Sequence, residues 1–160
     1  MKKYLVIGNP IEHSLSPKLH NYWFEKNNID ANYDRRKTDK SEIQEIINEI
    51  KDNKLDGINV TVPFKTDVIP FLDTLSKEAQ ITQSVNTIYM HDKKLVGHNT
   101  DIKGFELSLE DTQFDLNNKS IFILGAGGVV PSIIYALEKL GVSKISVSNR
   151  TKEKAEDLKK

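Results

Sequence analysis

The stretch from residue 120 to residue 148 constrains this chain more than any other. Residues 120–124 form an apolar run of strand length, and Gly125-Ala126-Gly127-Gly128 follows without a spacer. Helical periodicity then holds from about Val129 to Leu140, and Gly141 stands where a helix-terminating glycine belongs. Residues 144–148 read as the next strand and 151–160 as a charged amphipathic helix. Strand, helix, strand and helix joined by short turns are the opening of a doubly wound parallel sheet.

A glycine-rich turn between a strand and a helix suits a dinucleotide pyrophosphate for physical reasons. The first glycine makes the tight turn, the second admits phosphate close to the backbone, and the helix N-terminus offers unpaired N–H groups at its positive end. Gly125, Ala126, Gly127, Gly128 and Val129 supply that turn, although the sixth position, small in the full pattern, is Val130 followed by Pro131. Such turns also occur as plain strand-to-helix connections. The end of the second strand adds a cue, because a carboxylate there accepts the ribose hydroxyl of NAD. Ser148 is instead followed by Asn149, Arg150 and Thr151, with Lys154 one turn on. A guanidinium grips a phosphate bidentately, so these residues predict NADP in preference to NAD. The plain alternative is a helix start capped by Asn149 or Thr151 beside a solvated arginine.

The first hundred residues alternate strand and helix signals. Residues 4–8 read as a buried strand, and Ser16-Pro17 as a helix start with Ser16 at the N-cap. Residues 32–37 read as a weak edge strand. A capping box of Ser41 and Gln44 introduces a helix whose apolar stripe is Ile43, Ile46, Ile47 and Ile50. Residues 55–62 predict a strand, 66–73 and 76–80 short helical pieces, 85–90 and 94–98 a hairpin, and 101–109 a helix.

Composition narrows the function classes. Among 160 residues, 23 Lys and Arg balance 23 Asp and Glu, which argues against a bulk binder of nucleic acid or anionic membrane. The absence of cysteine excludes disulfide scaffolds, thiolate nucleophiles and cysteine-ligated metal. No stretch approaches the ~18 apolar residues of a membrane span, and the apolar start at residues 4–8 is broken by Asn9, Pro10 and Glu12. The expected location is the cytoplasm. The four histidines share neither metal-ligand spacing nor one face, so no metal site is expected.

Three polar clusters lie where a strand or turn hands over to a helix: 14–17, 59–65 and 99–101. Their hydroxyls, amides, ammonium and carboxylate suit a polyhydroxylated small acid. Lys65 opposes the dipole of a following helix, where a structural design favours an acid. Its plain alternative is a surface lysine, and that of Asp101 is a helix N-cap. Together, Lys65 and Asp101 would make a proton-transfer pair in which the carboxylate orients the ammonium. The spacing does not show that they meet. Ser14 reads as a turn residue and Asn86 as a strand amide that needs a partner if buried.

Taken together, Ser14-Leu15-Ser16-Pro17, the run from Asn59 to Lys65, Val85-Asn86-Thr87, Asn99-Thr100-Asp101, the glycine turn at 125–128 and Asn149-Arg150-Thr151 resemble the shikimate dehydrogenase family, in order and spacing. The resemblance implies NADP(H)-dependent interconversion of 3-dehydroshikimate and shikimate on the chorismate route to aromatic amino acids. It implies Ser14 and Ser16 on the substrate carboxylate and Thr61, Lys65, Asn86 and Asp101 on the ring hydroxyls. Lys65 would be the principal acid/base residue and Asp101 its partner. The chain departs from the family at Gln83-Ser84, where a Gly-Ala pair is usual, and at Val130.

The expected fold is therefore α/β: an N-terminal α/β substrate domain over 1–100, then the start of a Rossmann-type doubly wound dinucleotide-binding domain over 101–160, which ends after its second helix. Two other readings stand beside the reductase: a quinate or quinate/shikimate dehydrogenase using NAD, and a fragment that binds ligand without turning it over. The expected partner is the small-molecule substrate, with no nucleic acid and no membrane, and a homodimer is the assembly considered.

Overall fold

Strand β1 (Lys2–Gly8) shows why its sequence is apolar without alternation. Leu5 and Ile7 point into the main core while Val6 packs on the opposite face with Ile11 and Tyr33, so both faces of the strand are covered. The computed structural model describes residues 1–159 of the chain. After β1 come α1 (Ser16–Lys26), β2 (Ala31–Lys37), α2 (Ile43–Lys51), β3 (Gly57–Val60), β4 (Thr74–Leu75), α3 (Lys77–Thr82), β5 (Thr87–His91), β6 (Lys94–His98) and α4 (Asp101–Glu110). The chain continues through β7 (Ser120–Leu124), α5 (Val130–Lys139), β8 (Lys144–Ser148) and α6 (Lys152–Glu156).

Six strands form one sheet in the order β2-β1-β3-β5-β6-β4. β1 runs parallel to both β2 and β3, whereas β5 is antiparallel to β3 and to β6. The core lies mainly on one face, where Ile43, Ile46, Ile47 and Ile50 of α2 meet Leu5, Ile7, Ile58, Val60 and Ile88. That stripe was legible because every third or fourth residue of α2 is isoleucine. The β5–β6 hairpin turns at Asp92 and Lys93, both at positive φ, as a two-residue turn requires. β7 and β8 pair in parallel as a separate two-stranded sheet, joined by α5, and Gly141 ends α5 at φ +79°. This is the expected mixed α/β architecture with the start of a doubly wound sheet.

Several local expectations are corrected. The capping box is formed by Asp39 and Glu42, not Ser41 and Gln44, because a short 3-10 turn precedes α2. Ser16 lies inside α1 rather than at its N-cap, which Leu15 occupies. The strand expected over 55–62 is confined to Gly57–Val60. Only Ile69–Phe71 of the expected 66–73 helix is helical, as a 3-10 turn, and the short β4 follows it. Phe122 and Leu124 in β7 are exposed while Ile121 and Ile123 are half-buried, because successive side chains point to opposite faces of the sheet and only one face is covered.

Candidate active site

Three residues distant in sequence converge beyond the end of β3. The segment leaving β3 returns Lys65 to the sheet, where its backbone carbonyl accepts from the Val85 N–H. Asp101 opens α4, and Asn86 immediately precedes β5. Lys65 Nζ lies 2.7 Å from Asp101 Oδ2, with side chains 12% and 22% exposed. The second carboxylate oxygen of Asp101 accepts from Asn86 Nδ2 at 2.9 Å. Both oxygens thus have charged or amide donors, which leaves the carboxylate one orientation. Asp101 therefore does not serve as a backbone cap. The N-cap position belongs to Thr100, whose N–H donates to Asn86 Oδ1.

Thr61 is joined to the same end of the sheet through its N–H, which donates to the Ile7 carbonyl. Gly8 is required beside it: a Cβ there would meet Thr61 Cγ2 at 2.6 Å. The loop that leaves β1 at Gly8 carries Ser14, and Ser16 is the first residue of α1. These two serines associate with each other, Ser14 Oγ accepting from the Ser16 N–H at 3.3 Å, and Arg35 donates to the Ser14 carbonyl. No hydrogen bond joins either serine to Lys65, Asn86 or Asp101 among the described residues.

A buried amide from the 99–101 cluster, to which the sequence assigned no role, connects this site to the glycine turn. Asn99 is 2% exposed, and its Nδ2 donates to Ser132 Oγ on α5, to the Ser84 carbonyl and, at 3.2 Å, to Thr82 Oγ1. Its Oδ1 accepts from the Asp101 N–H. Ser84 reaches the turn directly, its hydroxyl donating to the Gly128 carbonyl at 3.3 Å. The preceding residue, Gln83, adopts φ +49°, a left-handed conformation that favours glycine. A polar residue inside a short motif carries no signal of which distant groups it will meet, so these links were not legible.

The glycine turn is open. Gly125 sits at φ +106°, and a Cβ at Gly125, Gly127 or Gly128 would meet nothing within 4 Å. Among the described residues the N–H groups of Gly127, Gly128 and Val129 have no hydrogen-bond partner. Ala126 is held from the second strand, its N–H donating to Asn149 Oδ1, while Asn149 Nδ2 donates to the Thr151 carbonyl. Asn149 thus ties the two strand ends together and does not cap α6, and the Thr151 side chain makes no cap bond either. Arg150, Thr151 and Lys154 are exposed, and no ion pair occupies Arg150 or Lys154 among the described residues. A rim of free N–H groups followed by two free cations fits a phosphorylated dinucleotide.

Residues 6–88 match the family model described as shikimate dehydrogenase substrate binding domain, and residues 106–160 match that of shikimate / quinate 5-dehydrogenase. The chain is 60% identical over 159 residues to the shikimate dehydrogenase (NADP(+)) of Pelagibacter ubique, covering 99% of this chain and 60% of that one. It superposes on the shikimate dehydrogenase of Aquifex aeolicus with a TM-score of 0.92 at 41% identity, covering 99% of this chain and 59% of the other. The Thermus thermophilus shikimate 5-dehydrogenase, solved in complex with NADP(H) and shikimate, gives a TM-score of 0.89 at 32% identity, with 99% and 59% covered. The chain spans about 60% of the length of the curated relatives it matches. With its substrate-domain pattern matched over more than half its length and the glycine turn following in register, the chain belongs to the shikimate dehydrogenase family.

Proposed function

We propose that this chain carries the substrate site and the first part of the cofactor site of an enzyme that interconverts 3-dehydroshikimate and shikimate with NADP(H). The observation that carries the reading is the Lys65–Asp101 pair, braced by Asn86 at the carboxyl end of β3. Residues 1–100 are read as the substrate domain and 101–160 as the opening of the NADP-binding domain. The bound cofactor supplies or accepts the hydride. The protein supplies the rest.

Lys65 Nζ donates a proton to the carbonyl oxygen that becomes a hydroxyl during reduction and takes it back in the reverse direction. Asp101 keeps the ammonium aimed at that oxygen and balances its charge. Ser14 and Ser16 hold the substrate carboxylate, while Thr61 and Asn86 take its ring hydroxyls. Gly125, Ala126, Gly127, Gly128 and Val129 frame the pyrophosphate, with Asn149 bracing the turn. Arg150, Thr151 and Lys154 take the 2′-phosphate. The free cations beyond β8, with no carboxylate at its end, favour NADP over NAD and hence this reading over a quinate enzyme using NAD.

No helix among the described residues is long and apolar enough to cross a membrane, which with the cysteine-free composition supports a cytoplasmic enzyme. Exposed Leu15, Leu19, Tyr22 and Trp23 around α1 support association, read here as a homodimer. Initial rates with shikimate and NADP, then NAD, together with calorimetric titration of shikimate, test the function. Turnover preferring NADP is expected. Saturable shikimate binding without turnover would restrict this chain to ligand binding, and no binding at all would overturn the reading.

A further inference from the structure

Beyond the pair itself, a continuous chain of hydrogen bonds runs from Asp101 across the sheet to the edge strand β2. Tyr33 Oη donates to Asn59 Oδ1 at 2.6 Å. Asn59 Nδ2 donates to Thr87 Oγ1 and to the Asn86 carbonyl, both at 3.0 Å. The Thr87 hydroxyl donates to Asn86 Oδ1 at 3.0 Å, and Asn86 Nδ2 donates to Asp101 Oδ1.

The direction of this chain is forced at two points. The Asn86 carbonyl can only accept, so Asn59 must turn its NH2 group toward it and its oxygen toward Tyr33. The Thr100 N–H can only donate, so Asn86 must turn its oxygen that way and its NH2 group toward Asp101. Both hydrogens of Asn59 are then used, and its oxygen depends on the phenol for a donor. Tyr33 is held accordingly: its backbone N–H and carbonyl are clamped by the Asn21 side chain, and the His20 ring stacks on it at 4.2 Å and 6°. Burial pushes the phenol well above its usual pKa, so it stays protonated and donates throughout the working range.

We propose that Tyr33 is a positioning residue, the terminal donor of a one-directional relay through Asn59, Thr87 and Asn86 that fixes the Asp101 carboxylate against Lys65. The proposal rests on the proposed function for its catalytic meaning, while the relay itself is built entirely from the chain's own residues. Polarised chains of this kind are stronger than their separate links, so a loss at one end is felt at the other.

Tyr33→Phe removes one oxygen and keeps the ring. The side-chain NH2 resonances of Asn59 and Asn86 are followed by nitrogen-edited NMR without ligand. Both pairs are expected to shift and to exchange faster, although Asn86 does not touch Tyr33. Shikimate affinity is expected to fall about two- to tenfold, the worth of one hydrogen bond. Thr87→Val cuts the relay in its middle and gives a second reading should Tyr33→Phe misfold, and Thr87→Ser, which keeps the hydroxyl, is expected to restore both signals. The double variant is expected to lose less than the sum of its parts. Resonances of Asn86 unmoved by Tyr33→Phe and Thr87→Val, or strictly additive losses, would overturn the relay. Failure of the parent chain to bind shikimate would instead count against the proposed function, with the amide resonances still deciding the relay.

Discussion

Lys65 Nζ and Asp101 Oδ2 lie 2.7 Å apart across 36 residues of sequence, and both side chains are largely withdrawn from water. Removing one member leaves the other without its counter-charge in a partly buried site, which costs more than an exposed pair contributes.

Lys65→Ala removes the proton donor, and shikimate turnover is expected to fall by about two orders of magnitude or more. Asp101→Asn keeps the shape but not the charge. It is expected to lower turnover with a smaller effect on shikimate affinity, since Asn86 remains in place. Initial rates and calorimetry on the two variants check this, and unchanged turnover in Lys65→Ala would remove Lys65 from the mechanism.

At the end of β8, Arg150 is exposed and carries no ion pair among the described residues. Arg150→Asp reverses the charge offered to a 2′-phosphate and supplies the carboxylate that a ribose hydroxyl prefers. NADP affinity is expected to fall about tenfold or more, as loss of a charged hydrogen bond implies, with little loss for NAD. Fluorescence titration with the two reduced cofactors measures the ratio, and equal losses would contradict the assignment.

Asn99 is the buried junction between the β5–α4 region and α5. Asn99→Ala leaves the Ser84 carbonyl, Ser132 hydroxyl and Asp101 N–H short of partners and is expected to cost about 1–3 kcal/mol. Urea unfolding is the check. Because Asn99 Oδ1 holds the first turn of α4, shikimate affinity is expected to fall with stability, whereas Ser132→Ala should lower stability alone.

The stability of the α1–β2 contact carries a pH signature. Burial against Tyr33 and Phe24 lowers the His20 pKa from 6.5, so the folded state keeps the ring neutral. As pH falls through 6.5 the unfolded chain takes up the proton first, and the contribution present above that value is lost as pH drops toward the lower folded value. Thermal melts between pH 7.5 and about 5.5 are expected to show a steeper decline for the parent chain than for His20→Phe, which stacks but cannot charge. Parallel declines would contradict the assignment.

The elements legible in sequence were those whose signal is local. The α2 stripe of Ile43, Ile46, Ile47 and Ile50, the β7-turn-α5-β8 succession and the glycine at 141 are periodicities or single-residue backbone requirements, and the structure reproduces each. Cap positions moved by a few residues because Ser41 and Asp39 are equally good capping residues, and the 3-10 turn decides between them.

The chemistry and order of the motifs identify the family without the fold, and residue types alone place an ammonium, a carboxylate and a basic turn in the chain. Which of these groups meet is set by the fold. Lys65 reaches Asp101 because β3 and β5 pair with Asn59 opposite Thr87, and the β5–β6 hairpin returns the chain to start α4 beside Asn86. Register and crossover, set by long-range packing rather than by local propensity, bring the donors Tyr33, Asn59, Thr87 and Asn86 into one line.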